Sequence, residues 1–145
     1  EDADLKALLE RVTDYISHRT SDKVKISTHV PDSLPPVRLN VALFEWVIEN
    51  LCKNAVDAMG GVGVLVISVQ ETSRYWCIDV ADTGKGIDKR YFETVFAPGY
   101  TTKKRGWGLG LSLARRIVVE YHSGSIFVKQ SEINKGTIFR IELKK

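Results

Sequence analysis

DTGKGI fills residues 82–87, and GWGLG fills residues 106–110 before running straight into LSLARRIV. The first run follows the strand-like segment YWCIDVA at 75–81, so it sets a carboxylate and two glycines at the exit of a strand. The second ends where a helical pattern starts, and the residues between the two hold little regular structure beyond a short predicted helix at 89–95. A loop of that length inside a compact domain is usually functional. Upstream lies ENLCKNAVDA at 49–58, with amides four residues apart at Asn50 and Asn54. Together the three segments read as a nucleotide site that takes a base, a metal and a phosphate tail. The order excludes two familiar alternatives. There is no GxxxxGK[ST] loop, and GWGLGL does not join the first strand and helix of a βαβ unit. The phosphate-type glycines follow the base-type turn.

The rest of the chain fits around that loop. Leu5, Leu8, Leu9, Val12 and Ile16 recur at helical spacing, predicting a helix over 3–19. Val24, Ile26, Thr28 and Val30 alternate as a strand, and three prolines set a turn over 31–36. A long helix is predicted over 41–59, with Asn40 as its cap and Gly60-Gly61 as its stop. Residues 62–70 and 74–80 read as a β-hairpin whose second strand is the more central. A helix over 109–121 carries Leu111, Ala114, Val118 and Tyr121 on one face, and strands at 125–130 and 136–143 finish the chain. The reading is an α/β (α+β) two-layer sandwich, with three main helices on a mixed, mostly antiparallel sheet of about five strands. Adjacent hairpins argue against a doubly wound sheet.

Composition narrows the class. The 145 residues suffice for one domain with a core, and 43% are apolar. No apolar run is long enough to span a bilayer and no signal peptide is visible; the absent initiator Met suggests a fragment. A net charge of +3, from 21 basic and 18 acidic residues, is too weak to point to nucleic acid. Cys52 and Cys77 read as two buried thiols rather than a disulfide or a zinc ligand set.

Each candidate residue has a chemical reason. On a helix Asn50, Asn54 and Asp57 fall within roughly 60° of one another, while Val47, Leu51 and Ala55 take the neighbouring flank. An amide oxygen ligates Mg²⁺ without neutralising it, so the ion stays attractive to phosphate oxygens. Asn54 is the preferred ligand, and Asn50 can orient a water or a phosphate. A polar, solvent-facing helix side would look the same. Asp82 can accept from an exocyclic amine such as adenine N6. Gly84 and Gly86 permit a tight turn, and Ile87 can cover a planar base. Taken alone, DTGKG is as readily an ordinary β-turn. Gly106, Gly108 and Gly110 offer backbone amides to phosphate oxygens beside a helix start. A flexible helix entry would need the same glycines. Lys103-Lys104-Arg105 lies between the glycine runs and is a candidate phosphate contact.

With these residues in hand the chain resembles the catalytic, ATP-binding domain of sensor histidine kinases, within the superfamily of DNA gyrase B, Hsp90, histidine kinase and MutL ATPases. Asn50-Leu51-Cys52-Lys53-Asn54-Ala55 matches the N box, and Asp82-Thr83-Gly84-Lys85-Gly86 the first glycine box. Residues 92–96 match the F box, Gly106-Trp107-Gly108-Leu109-Gly110 the second glycine box, and Gly136-Thr137-Ile138-Phe139 the closing GTxF element. The resemblance implies a Bergerat-type fold, a single catalytic domain over 1–145, and a mobile ATP lid over 96–108. It implies ATP and Mg²⁺ as ligands, with Asn54 on the metal and Asp82 on adenine N6. Thr137 would support the adenine side, and Leu109 and Leu111 would lie near the phosphate–base junction. Tyr100, Thr101, Thr102, Lys103 and Arg105 belong to the lid. Asn50, Lys103 and Arg105 are the candidates for a catalytic role.

The resemblance further implies a dimerisation and phosphoacceptor domain, a response regulator as the next acceptor, a monomeric isolated domain and a homodimeric parent. It places the domain in the cytoplasm, with membrane attachment left to other parts of the parent. Where the family often has a basic residue three positions after the metal Asn, this chain has Asp57, which shifts phosphate contact toward Lys53 or the lid. None of His18, His29 and His122 has the context of a phosphate-accepting histidine, so the acceptor is expected on another domain. A water-activating Glu, which ATP-hydrolysing relatives carry at the first N-box position, is replaced by Asn50. A serine kinase of the same superfamily and a degenerate binding module remain alternatives.

Overall fold

A computed structural model describes residues 1–100 and 110–145. Helix α1, Leu5–His18, starts because the Asp4 carboxylate accepts from the Ala7 N–H at 3.1 Å. It buries Leu5, Leu8, Leu9, Val12 and Ile16, the predicted stripe. Helix α2, Val41–Ala58, is capped by the Asn40 side chain, which accepts from the Leu43 N–H at 3.2 Å. Its end is a Schellman stop. Gly60 donates to Asp57 at 3.1 Å and Gly61 to Val56 at 3.3 Å, both glycines having positive φ. Phe44, Val47, Ile48, Leu51, Cys52 and Ala55 face inward. Burial, with a smaller push from Glu49, raises the Cys52 thiol to about 12; both cysteines are free.

The strands are β2 (Val24–His29), β4 (Gly63–Glu71), β5 (Tyr75–Asp82), β6 (Ser125–Glu132) and β7 (Gly136–Lys144), with the short β1 (Asp2–Ala3) and β3 (Val37–Arg38) forming a separate antiparallel pair. The five-stranded sheet runs β2-β4-β5-β7-β6. Only the β2/β4 pair is parallel. The central place of β5 agrees with its aromatic and β-branched sequence. Its even-numbered residues Trp76, Ile78 and Val80 join Leu65, Ile67, Phe139 and Ile141 in one apolar layer beneath the helices. The opposite pleat of β5 and β7 carries a buried ion pair. Arg140 donates to both Asp79 oxygens at 2.7 and 2.9 Å, and Lys129 lies 3.7 Å from the same carboxylate.

Three boundaries differ from the sequence expectation. Ala3 pairs with Val37 as strand, so α1 starts later than residue 3. The predicted helix at 89–95 is two 3₁₀ turns, Lys89–Tyr91 and Thr94–Phe96. The last helix is α3, Gly110–Arg116, continued by a π-turn over Ile117–Tyr121. Each residue of a π-turn advances less around the axis than in an α-helix. Ala114 and Val118 are therefore buried as expected, while Tyr121 lags off the stripe and is 62% exposed.

Candidate nucleotide site

The site begins as a row across the sheet. Asp82 ends β5 and pairs with Thr137 of β7, which pairs in turn with Ser131 of β6. Asp82 and Thr137 are buried polar residues at the rim of an otherwise apolar layer. The Asp82 carboxylate accepts from the Gly84 N–H at 2.8 Å and from the Thr137 backbone N–H. Burial still dominates and holds its pKa above the ordinary carboxylate value, with those two donors pulling the other way. Ser131 was not foreseen. Its hydroxyl lies 2.7 Å from the Thr137 hydroxyl, accepts from the Ile87 N–H at 2.7 Å, and lies 3.0 Å from the Gly136 carbonyl.

The 82–87 turn is clamped on two sides. A Cβ on Gly84 would lie 2.6 Å from the Ala58 carbonyl carbon and oxygen, so the turn rests directly on the end of α2. The Lys85 N–H donates to that Ala58 carbonyl at 2.9 Å. On the other side the Lys85 carbonyl accepts from Asn134 at 2.7 Å, and a Cβ on Gly86 would stand 2.2 Å from the Glu132 carbonyl oxygen. Gly86 has φ of +77°, where any side chain is strained. Both glycines are thus required by close approach. Ile87 packs partly buried against the core.

On α2, Asn50 and Asn54 are half-buried and Asp57 is exposed. Gly110, the first described residue after the loop, meets Asn50: a Cβ there would lie 2.7 Å from the Asn50 Oδ1. The N-box amide and the last glycine of the second glycine run are therefore neighbours. Leu111 packs against the core. Lys53 pairs with Glu49 at 3.0 Å. At the start of the expected lid, Phe96 is buried edge-on against Phe139, and Tyr100 stacks on Tyr91 at 6.5 Å. Thr101, Thr102, Lys103, Arg105, Gly106, Gly108 and Leu109 lie outside the described residues.

Arg115 was also missed. It lies over the Phe96 ring at 3.8 Å, donates to the Ile126 carbonyl at 2.9 Å, and pairs with Glu93. It thereby ties α3 to the 3₁₀ turn before the loop. No spacing rule in the sequence links residue 93 to residue 115. A groove of about 500 Å³ lined by Glu1, Arg38, Leu39, Asn40 and Tyr121 shares none of the site residues.

Asp82 and Thr137 offer an anionic acceptor and a hydroxyl, Asn50 and Asn54 offer amides on α2, and Ile87 offers an apolar side chain, the residue types a nucleotide site uses. The model of the histidine kinase-, DNA gyrase B- and HSP90-like ATPases matches residues 40–145, the span holding every residue of the site. This chain belongs to that ATPase family. Among curated relatives it is 33% identical over 141 residues to the sensor histidine kinase ZraS of Escherichia coli (strain K12), covering 97% of this chain and 30% of the relative. It is 39% identical over 97 residues to sporulation kinase D of Bacillus subtilis, covering 67% of this chain and 19% of that one. The chain thus spans less than a third of the length of each of these two relatives. Among solved structures, the catalytic domain of histidine kinase ThkA superposes with a TM-score of 0.88 at 26% identity, covering 100% of this chain and 97% of that one. Full-length ShkA in complex with AMPPNP gives 0.88 at 25%, covering 99% of this chain and 30% of that one. ATP is the nucleotide this family is named for, and the mixed five-stranded sheet under helices is the fold of its kinase members.

Proposed function

We propose that this ATPase-family chain is the catalytic domain of a two-component sensor histidine kinase and binds ATP with Mg²⁺ between α2, the 82–87 turn and α3. The observation that carries the reading is that α2 touches both glycine segments: the turn after the buried Asp82–Thr137 pair rests on Ala58 at its end, and Gly110 meets Asn50 about two turns earlier. In this reading Asp82 accepts from adenine N6, Thr137 supports the same edge, and Ile87 covers the base. Gly84 and Gly86 let the turn lie close to both base and helix. Asn54 supplies a hard, neutral oxygen to the metal. Among the described residues no cluster of three or more His, Cys, Asp or Glu can hold a metal. An ion at Asn54 would thus complete its shell from phosphate oxygens and water, as Mg²⁺ commonly does. When bound, it neutralises charge on the β- and γ-phosphates. Asn50 orients a water or phosphate. By the family resemblance residues 96–108 take the role of the lid, with Tyr100, Thr101, Thr102, Lys103, Gly106 and Gly108 as candidate nucleotide contacts, Leu109 assigned to the phosphate–base junction, and Lys103 or Arg105 as the candidate γ-phosphate contact.

Catalysis is then positioning plus charge neutralisation. The nucleophile is a neutral imidazole on a separate dimerisation and phosphoacceptor domain, and an aspartate of a response regulator is the next acceptor. AMPPNP in the ShkA complex supports an adenine nucleotide as the ligand, and the histidine kinase name of the relative supports a histidine as the acceptor. One sequence feature favours a kinase over a hydrolase. Asn50 occupies the position where a water-activating Glu would stand, and the adjacent Glu49 is engaged by Lys53. Calorimetry with ATP and GTP tests the reading. ATP binds the wild type more tightly than GTP, and Asp82→Ala loses about 1–3 kcal/mol of ATP affinity. Equal affinities for the two nucleotides in the wild type would overturn the base assignment.

A further inference from the structure

Strand β6 has an irregularity that serves the site. Its register with β7 shifts between Val128 and Gln130, so that Val128 pairs with Phe139 but Gln130 pairs with Ile138. Without the extra residue, side chains would alternate so that Ser131 faced the opposite pleat from Val128. The bulge reverses the parity and brings Ser131 onto the pleat of Thr137 and Asp82, a re-aiming that bulges provide beside sites.

The Ser131 hydroxyl then meets three partners. The Ile87 N–H can only donate, and the Gly136 carbonyl can only accept. A hydroxyl has one proton and two lone pairs. If all three contacts are hydrogen bonds, the Ser131 proton goes to Gly136, one lone pair takes Ile87, and the other takes the Thr137 proton. With its proton directed to Ser131, Thr137 keeps only acceptor capacity for a bound base. Beside it the Asp82 carboxylate is also an acceptor. An exocyclic amine satisfies two acceptors, whereas an exocyclic carbonyl meets oxygen on both.

We infer that Ser131 is a specificity-determining positioning residue, which turns the Thr137 hydroxyl into an acceptor and so selects 6-amino over 6-oxo purine nucleotides. The inference rests on the proposed placement of the base against Asp82. It acts through Thr137, and Ser131 itself need not touch the nucleotide.

The test is the ratio of inosine triphosphate to ATP dissociation constants, measured calorimetrically on this chain. Ser131→Ala frees Thr137 to donate and lowers the preference for ATP about three- to tenfold, the span of one neutral hydrogen bond. Ser131→Thr, which keeps a hydroxyl, retains the wild-type ratio. Ser131→Cys, similar in shape but a weak hydrogen-bonding group, behaves like Ser131→Ala and serves as the second variant. In a Thr137→Val background, Ser131→Ala changes the ratio no further. A merely structural role would weaken both nucleotides alike and leave the ratio fixed. Asp82→Asn separates the two readings. If it collapses the ratio while Ser131→Ala and Ser131→Cys leave it at the wild-type value, the role of Ser131 is refuted and the base site stands. If Asp82→Asn also leaves it unchanged, the base site itself is misplaced and the inference falls with it.

Discussion

Gly86→Ala isolates the close approach on which the site depends. Two costs add. At φ of +77° an alanine side chain is strained by about 1–2 kcal/mol. The new Cβ would also stand 2.2 Å from the Glu132 carbonyl oxygen and 2.7 Å from its carbon, both backbone atoms. Relief requires the turn and the β6–β7 connection to part by about 1 Å, and such overpacking costs about 1–3 kcal/mol. The sum is about 2–5 kcal/mol. The movement also strains the Asn134–Lys85 bond of 2.7 Å and the Ile87–Ser131 bond of 2.7 Å. Gly99→Ala is the matched control for stability: its φ is +84°, and among the described residues nothing lies within 4 Å of the added Cβ. It pays the conformational cost alone. Denaturant unfolding of both variants with the m-value checked, together with ATP calorimetry, gives the comparison. Gly86→Ala loses at least about 1 kcal/mol more than Gly99→Ala and most of its ATP affinity, by the two costs above. Equal losses would refute the claim that the turn is held by contact with β6–β7.

Asn54→Ala removes the difference in ATP affinity measured with and without Mg²⁺ while leaving the circular dichroism unchanged; an intact metal dependence would exclude Asn54 as the ligand. Burial sets the pKa of Asp82 above the ordinary value of about 3.9, so carboxyl-carbon NMR of the ligand-free chain gives a midpoint above that value. The sign follows: its contribution to stability is full below the ordinary value and is lost as pH rises through the raised one, so the ionised carboxylate at neutral pH is a cost to the free fold. A midpoint at or below about 3.9 would contradict the burial argument. Arg140→Met strands the buried Asp79 carboxylate, which Lys129 at 3.7 Å only partly compensates, and costs about 3–5 kcal/mol by chemical denaturation. A loss under about 1 kcal/mol would show that water reaches the pair.

Much of the architecture was legible because long elements carry strong periods. The stripe from Leu5 to Ile16, the Asn40 cap and the Gly60-Gly61 stop each state a local rule that the packing does not override. The hairpin through Tyr75 and the central place of β5 followed from alternation and β-branching. The two-residue strands β1 and β3 are too short to show any period, and the π-turn shares its sequence signature with an ordinary helix. In the site, Asp82, Gly84 and Gly86 could be named from chemistry and turn geometry. Thr137 came only from family resemblance, because a threonine in an alternating strand carries no mark of its own. Ser131 was invisible for a physical reason: strand parity points it the wrong way, and only the bulge near residue 129 turns it toward Thr137.

The fate of the γ-phosphate tests the account most directly. The chain is incubated with ATP labelled at that phosphate, with and without the separately produced dimerisation and acceptor domain proposed for its parent. The account predicts ATP binding with little labelling and little phosphate release by the chain alone. It predicts labelling of the added domain that acid removes and base does not, as a phosphoramidate requires. Tethering normally raises the local concentration, so the reaction in trans is slower than in the intact protein. An acid-stable phosphoserine on an added protein, or rapid release of free phosphate without any acceptor, would contradict the account.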